Sequence, residues 1–402
     1  MSSDCKIDFD HHSEAFVRDP YVQYRRLREE CPAGFSEQHG GFWMLSRYDD
    51  VRQALLDHDT YSSAHPGRVA IPNTPRDGGT AMIPIEVDPP EHTQYRTQIT
   101  KFFGKAKVEE LAEPASDLAD SIIDSFLERG RCEVVKEFSE PFFSKLLAMF
   151  LRLPITDSDL WIEWAAAIFA GRSSDPDGAE DARRELIQYV DQLLNERKKS
   201  DQSDLFSALL DIRLNGEPLT QNELRGYGME ILLAGREATI DGISNSIAFL
   251  ADHIHDQERL LSKADLLPTA VEEFLRWNSP IQLLGRVANK DISLHGEEIR
   301  AGESVAVIYG SANRDERKFP RPDECLLDRK PNAHLAFGLG PHTCIGLHLA
   351  RLGLRIGIGR FLNRLSPFNL STQTVGTLKP NGDARGYLSL PLCFEFGKRT
   401  RT

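Results

Sequence analysis

Apolar residues recur along most of the chain at spacings of three and four, the period of a helix half buried against a core. Leu186, Tyr189, Val190, Leu193 and Leu194 show it within 179–197, and Val51, Leu55 and Leu56 within 48–57. The same reading predicts helices over 21–30, 111–127, 142–151, 204–212 and 270–277, and Pro32, Pro154 and Pro280 stop three of them. A long, mostly apolar helix is predicted over 221–254, and a last one over 345–365. Short apolar runs predict strands at 41–46, 283–288, 292–294, 304–309 and 387–396, with a proline-rich coil at 319–331. From 62 to 90 neither period holds, and six prolines and three glycines mark a long irregular loop. Loops beyond about 12–15 residues are usually functional or disordered, and Val69, Ile71, Met82, Ile83 and Ile85 make this one a folded wall or lid. These elements describe a mainly α protein with a minor β part at both ends. No repeat, low-complexity tract or linker interrupts it, so residues 1–402 read as one large domain.

Charge and cysteine usage narrow the function classes. Against 48 Lys and Arg stand 61 Asp and Glu, a formal charge of −13, so the overall field repels nucleic acid and anionic lipid. The longest apolar run, Trp164–Ala170, falls far below the roughly 18 residues that span a bilayer. Residues 1–6 lack the basic and apolar stretches of a signal peptide. The six cysteines (5, 31, 132, 325, 344 and 393) form no CxxC pair. Neither a disulfide framework nor a zinc ribbon is expected, and the natural setting is a reducing cytoplasm.

The strongest chemical signal runs from Phe337 to Gly346, at the mouth of the last helix. Gly338 and Gly340 permit a tight loop that could pass beneath a flat ligand. Cys344 then lies near a helix N-terminus, where backbone NH groups favour thiolate over thiol. A thiolate can ligate a metal, and a Cys-ligated heme iron promotes O–O cleavage. Two other readings stay open on these residues alone. A lone buried cysteine is often only a small hydrophobe. A zinc site from His334, His342, Cys344 and His348 ranks below heme, because structural zinc sites usually bring more than one cysteine.

The loop resembles the cysteine loop of the cytochrome P-450 family, F-x-x-G-x-[H/R]-x-C-x-G, matching at Phe337, Gly340, His342, Cys344 and Gly346. Further family motifs follow in order. Glu273-Phe-Leu-Arg276 matches E-x-x-R, and Ala312-Asn-Arg-Asp315 with Phe319-Pro320 and Pro322-Asp323 matches the meander, with Arg329 at the meander arginine. Asp88-Pro-Pro-Glu-His92 with Arg96 matches the start of the helix that reaches a heme propionate. The resemblance implies heme b (iron protoporphyrin IX) with Cys344 as axial ligand and Phe337 packed beside it. It implies His92, Arg96, Arg286 and His342 as propionate partners, and a buried structural triad of Glu273, Arg276 and Arg329.

It also implies a soluble monooxygenase that takes electrons from NAD(P)H through ferredoxin reductase and ferredoxin and inserts one atom of O2 into a lipophilic small molecule. Lys101, Lys105, Lys107, Arg351 and Arg355 are the expected docking charges for the ferredoxin. The expected pocket comprises Val69, Ile71, Met82, Ile83, Leu233, Ala234, Ile281, Gln282, Leu283, Leu284, Tyr387 and Leu388, with Gln282 or Arg68 able to orient a polar group. On the central helix, Gly235 and Glu237 fit the family's [A/G]-G-x-[D/E]-T-[T/S] pattern, but Ala238 replaces the relay alcohol and Thr239 stands one place on. An alanine cannot hold a relay water, and Thr239 points about 100° away around the helix. Peroxide-driven, substrate-assisted or coupling chemistry is therefore the alternative on the same fold. A non-enzymatic heme sensor is the other class, and it has no need of Gly235 and Glu237.

Overall fold

The structure is a computed structural model that describes residues 5–71 and 81–395, with the backbone alone for 169–174 and 176. Residues 72–80 of the irregular loop and Phe396 of the last predicted strand lie outside the described residues. Helices dominate. They form at Tyr21–Glu30, Tyr48–Leu56, Ala112–Asp124, Glu140–Leu151, Pro176–Arg197, Leu205–Asp211, Leu267–Asn278 and Leu347–Leu365, each within a few residues of its predicted span. Asp157–Ser174 adds a helix that the periodicity does not predict, its pattern blurred by the apolar but exposed Leu160.

The predicted long helix over 221–254 is two helices. Gln221–Ala234 starts with a capping box, in which Thr220 and Glu223 satisfy each other's backbone NH groups. It stops at Gly235, and Glu237–Asp252 resumes after Arg236, whose φ of −119° lies outside the helical range. The remaining turns of Ile254–Ser262 form a separate helix after His253. Apolar periodicity passes straight through the break at Gly235, which is why the sequence reads 221–254 as one helix, and its predicted end at 254 falls within a residue of the break at His253. From Thr239 to Ala251 every residue of the second segment is buried, so this segment is the axis of the molecule. It packs against Leu347–Leu365 and Leu267–Asn278.

A five-stranded sheet lies beside the helices in the order Ala33–Ser36, Phe42–Leu45, Ser304–Val307, Leu284–Ala288, Tyr61–Ser62. Only the pairing of Ser304–Val307 with Phe42–Leu45 is parallel. The predicted strand 387–396 divides into Tyr387–Ser389 and Pro391–Phe394, which pair in different sheets. The irregular loop is folded by its own acids. Glu86 accepts from the backbone NH of Gly67 and of Met82, both at 2.8 Å, and Asp88 accepts from Ser63 N at 2.9 Å.

One expectation fails here. Cys5 and Cys31 form a disulfide. They are 26 residues apart, but Phe35 N donates to Cys5 O at 3.1 Å and Ile7 N to Phe35 O at 3.0 Å, bringing both cysteines to one strand edge. Sequence spacing carries no trace of that pairing.

Candidate active site

The Cys loop leaves the meander and turns on two glycines in the left-handed region, Gly338 at φ 67° and Gly340 at φ 72°. A side chain at Gly340 would place its Cβ 2.6 Å from the Leu55 carbonyl, so the loop lies hard against helix Tyr48–Leu56. Cys344 N donates to Phe337 O at 2.8 Å, closing the loop. Behind it, Arg351 stacks on the Phe337 ring at 4.6 Å and forks onto both oxygens of Glu272 at 2.7 Å. His334 also meets Glu272, at 3.1 Å. Burial pushes the Glu272 carboxyl up, but the bonds from His334 and Arg351 outweigh it and hold the pKa down to about 2.

Protein encloses Cys344 on every side, yet its surface is open to solvent-sized molecules, as a thiol facing an interior gap would be. Burial pushes the thiol pKa up, and the Gly346 backbone NH and Arg96 only partly oppose this. The helix start therefore does not by itself produce a thiolate, contrary to the expectation from sequence. A cation bound at the sulfur would, because a coordinating thiol is deprotonated outright.

Beside the thiol stand the four expected basic residues. His92 and His342 lie with ring centroids 4.4 Å apart, and the Nε2 atom of each is buried without a partner. Arg96 donates from Nη2 to Thr343 O, and Arg286, 4% exposed, donates to Gly285 O at 2.7 Å. Burial, then Arg96, pushes His92 down to about 4. Burial, then Arg286 and His92, pushes His342 down to about 2. Among the described residues none of the four has a carboxylate ion pair. Mutually repelling bases with orphaned nitrogens lack an anion, and two propionates beside a cysteine loop fit that need. His334 is held by Glu272, so the four-ligand zinc alternative does not assemble.

The break in the central helix lies opposite the loop. Ala234 and Gly235 are exposed although they sit deep in the molecule, and Ala238 is half-buried. Glu230, one turn before Ala234, acts electrostatically on Cys344, so the break and the sulfur border one gap. Glu237 pairs with Arg236 and, at 2.8 Å, with Lys379. Lys379 also lies 2.7 Å from Asp241 Oδ1. Burial raises Glu237, but Arg236 and Lys379 prevail and keep it ionised. Asp241 is pushed up to about 7 by burial, against Lys379 and with the neighbouring Glu237 charge adding to the rise. Thr239 is buried at 7% exposure. The sequence reading missed Arg236, Asp241 and Lys379. Asp241 was findable, four residues after Glu237 on one helix face, whereas Lys379 comes from distant chain.

The expected triad meets in the structure. Arg276 forks onto Glu273 with two bonds of 2.8 Å, and Arg329 Nε reaches the same carboxylate at 2.9 and 3.0 Å. Their remaining NH groups bind carbonyls of Asn313, Pro320, Pro322 and Glu324, which pins the meander.

The expected pocket residues are less uniform. Val69 and Ile83 are buried, Leu233 is buried beside the helix break, and Met82, Ile281, Leu284 and Tyr387 are half-buried. Ile71 and Leu283 instead join a core with Phe9, Phe16 and Tyr24. Gln282 donates both amide hydrogens to Asn278 O and Ser279 O and accepts from Tyr24, so it does not orient a substrate. Arg68 is likewise held by Gly302 O and Ser304. Leu388 points outward at 41% exposure.

Residues 255–391 match the family model described as cytochrome P-450. A steroid C26-monooxygenase of Mycolicibacterium smegmatis is 31% identical over 92% of each chain. CYP109Q5 from Chondromyces apiculatus superposes with a TM-score of 0.87 at 31% identity, covering 98% of this chain and 99% of that one. CYP109E1 from Bacillus megaterium in complex with testosterone gives 0.86 at 27% identity over 95% and 100%. The chain belongs to the cytochrome P-450 family. It is a heme b monooxygenase, an oxidoreductase, and no helix among its described residues is long and apolar enough to cross a membrane.

Proposed function

We propose that residues 1–402 act as one catalytic unit, a cytoplasmic monooxygenase of a lipophilic small molecule, fed with electrons from NAD(P)H through ferredoxin reductase and ferredoxin. The observation that carries this is the interior gap between Cys344 and the helix break, with an uncompensated basic cluster at its edge. Cys344 would ligate the iron, Gly346 would let the loop pass close to the heme, Phe337 would pack beside it, and His92, Arg96, Arg286 and His342 would take the propionates. Bound heme supplies the site at which dioxygen is cleaved and one atom passes to the substrate. Val69, Met82, Ile83, Leu233, Ala234, Ile281, Leu284 and Tyr387 exclude water from the substrate. Their apolar character suits a compound of steroid size, which the two steroid-related relatives favour.

Proton supply is where this chain differs from the family pattern. Ala238 offers no hydroxyl, and Gly235 opens the helix at that point. Lys379 Nζ bridges Glu237 and Asp241, and the Asp241 carboxyl is poised to hold a proton near neutrality. Water at the break, fed by this acid–lysine–acid chain, replaces the missing alcohol. The reading is tested by the reduced carbon monoxide complex, which should absorb at the long wavelength typical of thiolate ligation. Cys344→Ala should abolish that band, and an unchanged band in the variant would place the ligand elsewhere. A panel of lipophilic compounds should then shift the wild-type Soret band and drive NADPH consumption.

A further inference from the structure

Far along the chain from the heme residues, three histidines converge on the N-terminal segment and the turn after the first strand. His11, His12 and His39 each offer a ligating ring nitrogen, and these atoms lie within 4.8 Å of one another. The rings of His11 and His12 are 4.0 Å apart, and His39 is 5.0 and 5.1 Å from them. His11 is fully buried, and its Nδ1 has no partner. A lone pair in that position needs either a donor or a cation.

The other ring nitrogens are already oriented. A backbone carbonyl only accepts, so His11 Nε2, 2.8 Å from Ile71 O, and His12 Nε2, 3.2 Å from the same oxygen, carry their protons there. His39 Nε2 lies 2.8 Å from Asp10 Oδ1, a carboxylate oxygen that accepts, so it donates as well. Each ring thus has one NH anchored on a carbonyl or carboxylate, the arrangement that fixes a ligating imidazole from behind, and one nitrogen left with a lone pair. In His12 that lone pair accepts a 3.2 Å bond from Gly382 N. Among the described residues no other grouping of three His, Cys, Asp or Glu is placed to hold an ion.

We propose that His11, His12 and His39 form a site for one divalent cation of the zinc class, with Asp10 and the Ile71 carbonyl as outer partners. Neutral imidazoles suit zinc, copper and nickel rather than calcium or magnesium. Zinc–nitrogen bonds of about 2.0–2.1 Å in a tetrahedron set ligand atoms about 3.3 Å apart, so the rings close by at most about 1.5 Å on binding. The site joins three stretches of chain. Ile71 ends the described part of the substrate loop, and Gly382 follows Lys379, which pairs with Glu237. A cation here stiffens the support of both substrate-facing segments without touching the heme.

The test is titration of chelator-treated, heme-loaded protein with zinc chloride alone, followed by calorimetry. Wild type should take up one zinc per chain that His39→Ala and His12→Ala do not, while His255→Ala, at a fully exposed histidine, binds like wild type. Asp10→Asn should weaken binding roughly 10–100-fold, as loss of an outer partner does. Zinc-edge absorption of the loaded wild type should show imidazole scattering. Because His39 is partly exposed, its variant should fold, and an unchanged heme spectrum will show that it has. Equal zinc uptake by wild type and His39→Ala, or none by wild type, overturns the proposal.

Discussion

Ala238 stands where the family pattern places an alcohol, and on the proposed function its neighbours decide what replaces that alcohol. Thr239 turns into the core, and Glu237 is held by Arg236 and Lys379. General acid help of this kind is worth roughly 10²–10⁴ in rate, so its partial loss should show as uncoupling. Ala238→Thr is expected to raise product formed per NADPH consumed, with a larger gain for a deoxy substrate analogue than for one bearing a hydroxyl near the reacting carbon. Unchanged coupling for both compounds would mean that the acid–lysine–acid chain suffices unaided.

Asp241 gives that chain a pH signature. Burial and the neighbouring Glu237 charge push its folded pKa up to about 7, well above the ordinary carboxyl range, so the folded state binds the proton more tightly. The resulting stability is fully present below about pH 4 and is lost as pH rises through 7. Asp241→Asn should therefore flatten the fall of stability between pH 4 and 7 by up to about 1.4 kcal/mol per pH unit. Urea denaturation of the heme-loaded protein across that range checks it, and parallel curves for wild type and variant would refute the raised pKa.

Among the elements, one close helix crossing falls on a glycine. A Cβ at Gly353 would sit 2.6 Å from Phe143 Cε2, where Leu347–Leu365 crosses Glu140–Leu151. Alanine gains about 1 kcal/mol of helix propensity, but overpacking a tight core costs about 1–3 kcal/mol. Gly353→Ala should thus lower stability by up to about 2 kcal/mol, and a stabilised variant would show that the Phe143 ring can move aside. That crossing was invisible in the sequence, and the reason is general to this chain. Periodicity found most of the helices because it records which face is buried, yet it ran through Gly235 because both halves of that break bury their apolar faces in one core. The Cys loop and the E-x-x-R residues were legible because their chemistry needs fixed local spacing. Lys379, the Cys5–Cys31 disulfide and the anchoring of Gln282 were not, since each joins stretches of chain that only the fold brings together.

At the scale of the whole molecule, the proposed function asks an acidic protein with a formal charge of −13 to receive electrons through a local basic patch on the face nearest Cys344. Lys101, Lys105 and Lys107 are exposed, the last two on the short helix Lys105–Glu109 that packs against the helix Leu347–Leu365 after the Cys loop. Lys101 and Lys107 sit over the Phe102 ring at 5.3 and 5.4 Å, which keeps their charges together. Arg351 and Arg355, expected beside them, are engaged with Glu272 and Glu109. Reversing Arg351 would disturb Phe337 and the thiol loop and so could not report on docking. The informative variant reverses the three lysines to glutamate, leaving the heme spectrum intact. Rim charges act mainly on association rate and are screened by salt. First electron transfer from an acidic ferredoxin should slow roughly 10–100-fold at low ionic strength, with the gap closing in high salt where the Debye length falls to about 3 Å. A variant whose rate and salt dependence match wild type would show that the ferredoxin docks on another face.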